Sequence, residues 1–155
     1  MEDYQAVVAA PDFALGVRCN DDEIQVIDFL EARAEVTPKS LLAKEAVRQL
    51  RAYLRDPGFV FGLPLAPAGT PFQRRVWAQI EAIPCGETRT YGDVAAALGN
   101  APRAVGGACG ANPYPLVVPC HRVVASGGGL GGFARERGGL LLDIKRWLLA
   151  HEGVR

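Results

Sequence analysis

The first thirty residues place apolar positions in short, β-branched or alternating blocks: Ala6–Ala9, Phe13–Arg18 and Glu23–Phe29. Pro11-Asp12 and Asn20-Asp21-Asp22 interrupt them, so the pattern predicts three short strands joined by turns. The period then changes. Ala43, Val47, Leu50 and Leu54 share one face of a helix expected from about Ser40 to Arg55, and Pro57-Gly58 stops it. Phe59–Leu65 reads as a further extended piece. Pro64, Pro67 and Gly69 mark a linker, with the boundary near residue 66.

Beyond the linker the pattern is mainly helical. Thr70-Pro71-Phe72-Gln73 is a helix start, with Thr as N-cap, Pro in the first turn and Gln placed to close a capping box. Phe72, Val76 and Ile80 line one face of that helix, which must end near Pro84. Thr90-Tyr91-Gly92-Asp93 opens a second helix with the same cap logic, stopping at Gly99, and Pro102-Arg103 opens a third that ends at Gly110. Leu116–Val118 and His121–Val124 read as buried strand material around Pro119-Cys120. Ser126-Gly127-Gly128-Gly129 turns the chain. A last helix from about Leu140 to His151 carries Leu141, Ile144 and Leu148 on one face. The expected fold is α/β (α+β): residues 1–66 as a small sheet plus helix, packed on a mainly helical domain over 67–155.

Composition changes this picture little. Hydrophobic residues at 49% and charged residues at 22% are those of an ordinary globular chain. No apolar run approaches bilayer length and the start, Glu2-Asp3, is unlike a signal peptide, so the cytoplasm is the expected location and no membrane partner is expected. Cys19, Cys85, Cys109 and Cys120 form no Cys-x-x-Cys pair, which leaves reduced thiols and no zinc spacing. Charge is uneven. Residues 1–64 hold 7 Lys/Arg against 11 Asp/Glu and residues 65–155 hold 10 against 6, so a net zero conceals −4 and +4. A basic second half suits a few phosphate contacts.

Three features point to chemistry. Pro119-Cys120-His121-Arg122 sets a soft nucleophile beside an imidazole and a guanidinium. A thiol of ordinary pKa is only a few per cent thiolate at neutral pH, so a base must activate it. Adjacent strand residues point to opposite faces, so Cys120 and His121 need a turn or a bridging water to exchange a proton. Glu152, at a helix C-terminus, is opposed by the helix dipole. It is either a frayed, solvated terminus or the group that orients a histidine able to become cationic. His151 reads as an exposed helix-end cation. The helix Pro102–Cys109 has almost no side-chain bulk over Ala104-Val105-Gly106-Gly107-Ala108. Such thinness serves close packing against the protein's own core or insertion into a nucleic-acid groove; the two residue-level readings stand about even.

The motifs together resemble the O6-alkylguanine-DNA alkyltransferase family. They are Pro119-Cys120-His121-Arg122-Val123, Gly106-Gly107-Ala108, Asn112-Pro113, Tyr91-Gly92, Trp147–Gly153, Thr70–Trp77 and Ile83–Thr88. The resemblance implies a ribonuclease H-like N-terminal domain and a helix-turn-helix C-terminal one. It implies irreversible, single-use transfer of an alkyl group from O6-alkylguanine, with O4-alkylthymine as a second substrate, in double-stranded DNA. It implies Cys120 as acceptor, His121 as the base acting through water, Glu152 as its orienter and Asn112 as shaper of the turn. Arg103 would fill the space of the flipped nucleotide and Tyr91 would drive its rotation, with Ala104, Gly106 and Gly107 along the minor groove. Tyr91, Val123, Phe133, Ala134 and Arg135 would line the base pocket. No cofactor and no metal are implied, and the protein would act as a monomer, with cooperative binding along DNA left open. The chain departs from the family's Gly-Tyr-Ser-Gly-Gly at Gly132-Phe133-Ala134-Arg135-Glu136-Arg137, which brings three charges into the expected pocket wall. Competing readings are an alkyltransferase-like lesion sensor, a cysteine hydrolase, and a metal site at Cys109, Cys120 and His121.

Overall fold

The computed structural model describes residues 3–129 and 139–154. The chain divides into two compact units, Met1–Pro67 and Ala68–Arg155.

In the first unit, β1 (Ala6–Ala10), β2 (Phe13–Cys19) and β3 (Ile24–Glu31) form an antiparallel sheet in the order β1-β2-β3. Ala6 pairs with Val17 and Ala10 with Phe13, and the β2–β3 register slips at Arg18/Cys19. Helix α1 (Leu41–Arg55) follows, with the Ser40 hydroxyl accepting from the Ala43 N–H at its start. Its buried stripe is Ala43, Ala46, Val47, Gln49, Leu50 and Tyr53. Leu54, expected inside, is only half-buried because Tyr53 takes that position. Phe59–Leu65 forms no strand; one isolated bridge joins Leu65 to Ile24, and Phe61 packs on Tyr53 with ring centroids 5.8 Å apart.

The second unit is helical around a two-strand contact. Helix α2 (Pro71–Glu81) has the expected capping box between Thr70 and Gln73, and buries Val76, Trp77 and Ile80. Gly69, at φ 86°, lies so close to the Trp77 ring that a Cβ there would come within 2.5 Å of it. Strand β4 (Arg89–Thr90) leads into α3 (Tyr91–Leu98), where Thr90 and Asp93 close a second capping box. Gly99, in the left-handed conformation at φ 65°, ends α3, and α4 (Pro102–Gly110) starts three residues later. Strand β5 (Val123–Val124) pairs in parallel with β4, and α5 (Leu140–His151) closes the unit.

Two strand expectations fail here. Leu116–Val118 belongs to a loop in which Leu116 takes φ 76°, a costly left-handed conformation for a branched side chain. Cys120–Arg122 is a 3-10 turn, so β5 begins only at Val123. Among the described residues no helix is long and apolar enough to cross a membrane.

Candidate functional site

The apolar sequence around Cys120 does not extend because side chains hold it in a turn. Asn112 uses both protons of its amide nitrogen, donating to the Val118 carbonyl at 2.9 Å and to Cys120 Sγ at 3.3 Å. Its oxygen accepts the Tyr114 N–H at 2.9 Å. The loop is thereby closed upon itself, and the sulfur receives a donor suited to a thiolate. The turn also answers the alternation problem, since Cys120 and His121 both lie inside the unit, at 2% and 1% exposure.

His121 Nε2 lies 2.7 Å from Glu152 Oε2. Glu152 is no frayed terminus: its side chain is fully buried as the C-cap residue of α5. Its dipole penalty is met chiefly by Arg122, whose Nε donates to Oε1 at 2.8 Å and whose Nη2 donates to Oε2 at 3.0 Å. Nη1 of the same guanidinium donates to the Ile83 carbonyl at 2.8 Å. A carboxylate paired in this way only accepts, so His121 donates from Nε2 and leaves Nδ1 as the basic nitrogen. Burial draws the His121 pKa below its usual value, more than the Glu152 charge lifts it. The imidazole is therefore neutral and able to take a proton.

Around the sulfur lie a second thiol and a cation. Cys109 and Cys120 are hydrogen-bond partners, and this bond, followed by burial, holds the Cys120 thiol well above its ordinary pKa. Asn112 and Lys145 oppose that shift. The same bond brings Cys109 below its usual value. Lys145, fully buried on α5, donates to the Val123 carbonyl at 2.8 Å and to the Tyr91 hydroxyl at 3.5 Å. Burial lowers its pKa to about 8, and the two thiols pull the other way. Burial also raises the Tyr91 phenol, so its hydroxyl stays protonated. Sequence reading missed Lys145. A signal existed, because position 145 continues the Leu141, Ile144, Leu148 stripe at helical spacing, where a lysine must be buried.

Helix α4 turns only one side inward. Val105, Ala108 and Cys109 face inward, and Trp77 Nε1 donates to the Ala108 carbonyl at 2.9 Å, fixing the inner side. Arg103 and Gly107 are exposed, and Ala104 and Gly106 half-buried. A Cβ built on Gly106 or Gly107 meets nothing within 4 Å among the described residues. Among the described residues, close packing on the protein's own core therefore does not account for these glycines.

Of the remaining expected residues, Tyr91 opens α3 beside Lys145, while Val123 is fully buried and meets the site through its carbonyl. Phe133, Ala134 and Arg135, with the rest of the charged segment up to Arg137, lie outside the described residues. His151 is not the expected exposed helix-end cation; it is half-buried and stacks on Trp147 at 4.7 Å. Among the described residues no group of three His, Cys, Asp or Glu side chains could hold a metal ion.

Comparison with known proteins bears on this geometry. A family model described as 6-O-methylguanine DNA methyltransferase, DNA binding domain, matches residues 71–154. A methylated-DNA--protein-cysteine methyltransferase of Methanosarcina acetivorans is 39% identical over 158 residues, covering 97% of this chain and 98% of that protein. The protein of that name from Methanosarcina mazei is 47% identical over 157 residues, 96% of each. The crystal structure of Mycobacterium tuberculosis OGT in complex with DNA matches with a TM-score of 0.77 at 38% identity, covering 94% of this chain and 90% of that one.

Proposed function

The chain belongs to the O6-methylguanine DNA methyltransferase family, and on that premise we propose that Cys120 is the acceptor in a direct reversal of O6-alkylguanine damage. The observation that carries this reading is the buried Cys120 thiol, given a donor by Asn112 and followed by a neutral His121 hydrogen-bonded to Glu152. In this reading His121 Nδ1 takes the Cys120 proton by way of a water. The thiolate attacks the alkyl carbon in line, the carbon–oxygen bond breaks, and O6 keeps the electron pair. A proton returned to the guanine ring restores the normal base. Tyr91, protonated and hydrogen-bonded by Lys145, is a donor suited to that side of the site. The product is a thioether with no hydrolytic way back, so each molecule acts once.

The alkyl carbon is not accessible within the base stack, so the nucleotide has to rotate out. The open face of α4 is suited to the minor groove, with Gly106 and Gly107 permitting close approach and Ala104 adding little bulk. Arg103, exposed in its first turn, would fill the vacated position. O4-alkylthymine presents the same kind of carbon and is a second substrate in this reading. The protein acts as a monomer of the cytoplasm, where its four cysteines stay reduced. A lesion sensor that binds without chemistry is less well supported, because it has no use for the acceptor cysteine that this chain keeps at position 120.

The test is intact mass after incubation with a duplex containing O6-methylguanine. One added methyl group is expected, and none on Cys120→Ser. A folded, duplex-binding protein that gains no mass would overturn the reading in favour of the sensor.

A further inference from the structure

We propose that Arg122 is the positioning residue of the acceptor site: its guanidinium clamps the Glu152 carboxylate and fastens it to the Ile83 carbonyl, so that Glu152 presents a neutral His121 to Cys120. The proposal rests on the reading of Cys120 as acceptor.

Glu152 carries three penalties. Its side chain is fully buried, it caps the C-terminus of α5, and the dipole there repels negative charge. Histidine could offset them only when protonated, and a protonated His121 is useless as a base. The permanent counter-charge is Arg122, side-on to both carboxylate oxygens at 2.8 and 3.0 Å. Its remaining nitrogen reaches Ile83, just past the end of α2, at 2.8 Å. One side chain of the acceptor turn therefore links the ends of α2 and α5. Planar fork geometry is required for this, and an ammonium group has no equivalent.

The clamp also decides the state of His121. From α5 the imidazole faces Glu152, which favours its protonation, and Lys145, which disfavours it; Arg122 disfavours it from the adjacent position. The Cys120 thiol precedes it, with the Cys109 thiol of α4 and the Tyr91 hydroxyl of α3 around the same sulfur. With Arg122 gone, the carboxylate acts on the imidazole alone and holds a proton on it to higher pH. Glu152 Oε2 is also shared between Arg122 Nη2 and His121 Nε2, which fixes the ring by the nitrogen that is not the base.

The experiment follows methyl transfer to Cys120 in the full chain by intact mass, under single-turnover conditions, from about pH 5.5 to about pH 8.5. Wild type, Arg122→Gln and Arg122→Lys are compared, with melting temperature and duplex binding measured beside them. Wild-type protein that gains no methyl refutes the acceptor reading itself, whatever Arg122 does. Given transfer, the wild-type acid inflection is expected below the ordinary imidazole range. In Arg122→Gln it moves up by about one pH unit, making the loss of rate about threefold to fivefold greater near pH 6 than near pH 8. Arg122→Lys returns the inflection towards wild type but not the full rate. A rate reduced by one factor at every pH, with the inflection unmoved, overturns the proposal. If Arg122→Gln does not fold, Arg122→Lys decides: wild-type rates across the whole range overturn it.

Discussion

Replacing Glu152 by Gln separates what the buried carboxylate does for stability from what it does for chemistry. The carboxylate accepts three hydrogen bonds, from His121 Nε2 at 2.7 Å and from Arg122 Nε and Nη2 at 2.8 and 3.0 Å. A glutamine has one acceptor oxygen and one amide nitrogen in their place, so in either orientation a donor faces a donor. Arg122 loses its counter-charge while remaining 12% exposed. Removing one partner of a buried ion pair costs about 3–5 kcal/mol, and the slight exposure of Arg122 places this case near the lower figure. At roughly 2–4 °C per kcal/mol for a chain of this size, the melting temperature should fall by about 6–12 °C. Adding Arg122→Met removes the stranded cation, so the double variant should recover most of that loss. Methyl transfer should not recover with it. Loss of the oriented base is expected to slow transfer by about 10²–10⁴ in both variants. The assays are thermal unfolding and single-turnover intact mass on the same samples. A single variant that melts within about 2 °C of wild type would refute the stability argument, and one that transfers at the wild-type rate would refute the assigned role of Glu152.

Other expectations can be checked alongside. Gly107→Ala should stabilise α4 by about 0.5–1 kcal/mol because nothing obstructs its Cβ, whereas Gly107→Leu should fold normally yet bind a lesion duplex at least about tenfold more weakly; normal binding by the Leu variant contradicts groove insertion. Trp77→Phe loses the bond to the Ala108 carbonyl and should cost about 1–3 kcal/mol in urea unfolding. Lys145 has a folded pKa lowered from 10.5 to about 8, so between those values the unfolded chain holds more protons and stability rises with pH. Lys145→Met should therefore gain on wild type at about pH 7 and lose that relative gain by about pH 10.5, a change of up to about 3 kcal/mol. A stability difference that does not vary with pH would show that the lysine is not desolvated.

What could be read in the sequence was mostly local. The Thr70–Gln73 and Thr90–Asp93 boxes and the Gly99 stop were legible because a cap is made by residues three apart or by one backbone angle. The stretch around Cys120 misled for the converse reason. Its β-branched residues favour a strand, but Asn112, eight residues before Cys120, and Glu152, thirty residues after Arg122, hold it in a turn. Tertiary bonds overrode local preference. The dipole conflict marks Glu152 in the sequence but points to a histidine as the offsetting group, whereas the cation in the same motif, Arg122, makes the bidentate pair. Composition could mark Gly106 and Gly107 as unusual but could not tell a face packed inward from one left open; only their surroundings do so.

In the proposed reaction Cys120 takes the alkyl group, and does so once. The decisive experiment titrates the protein with an excess of O6-methylguanine duplex and maps the methyl group by peptide mass. Uptake should saturate at about one equivalent, all of it in the peptide containing Cys120, with guanine restored in the DNA. Methyl release that continues beyond one equivalent, or a methyl group on Cys109 in place of Cys120, would contradict it.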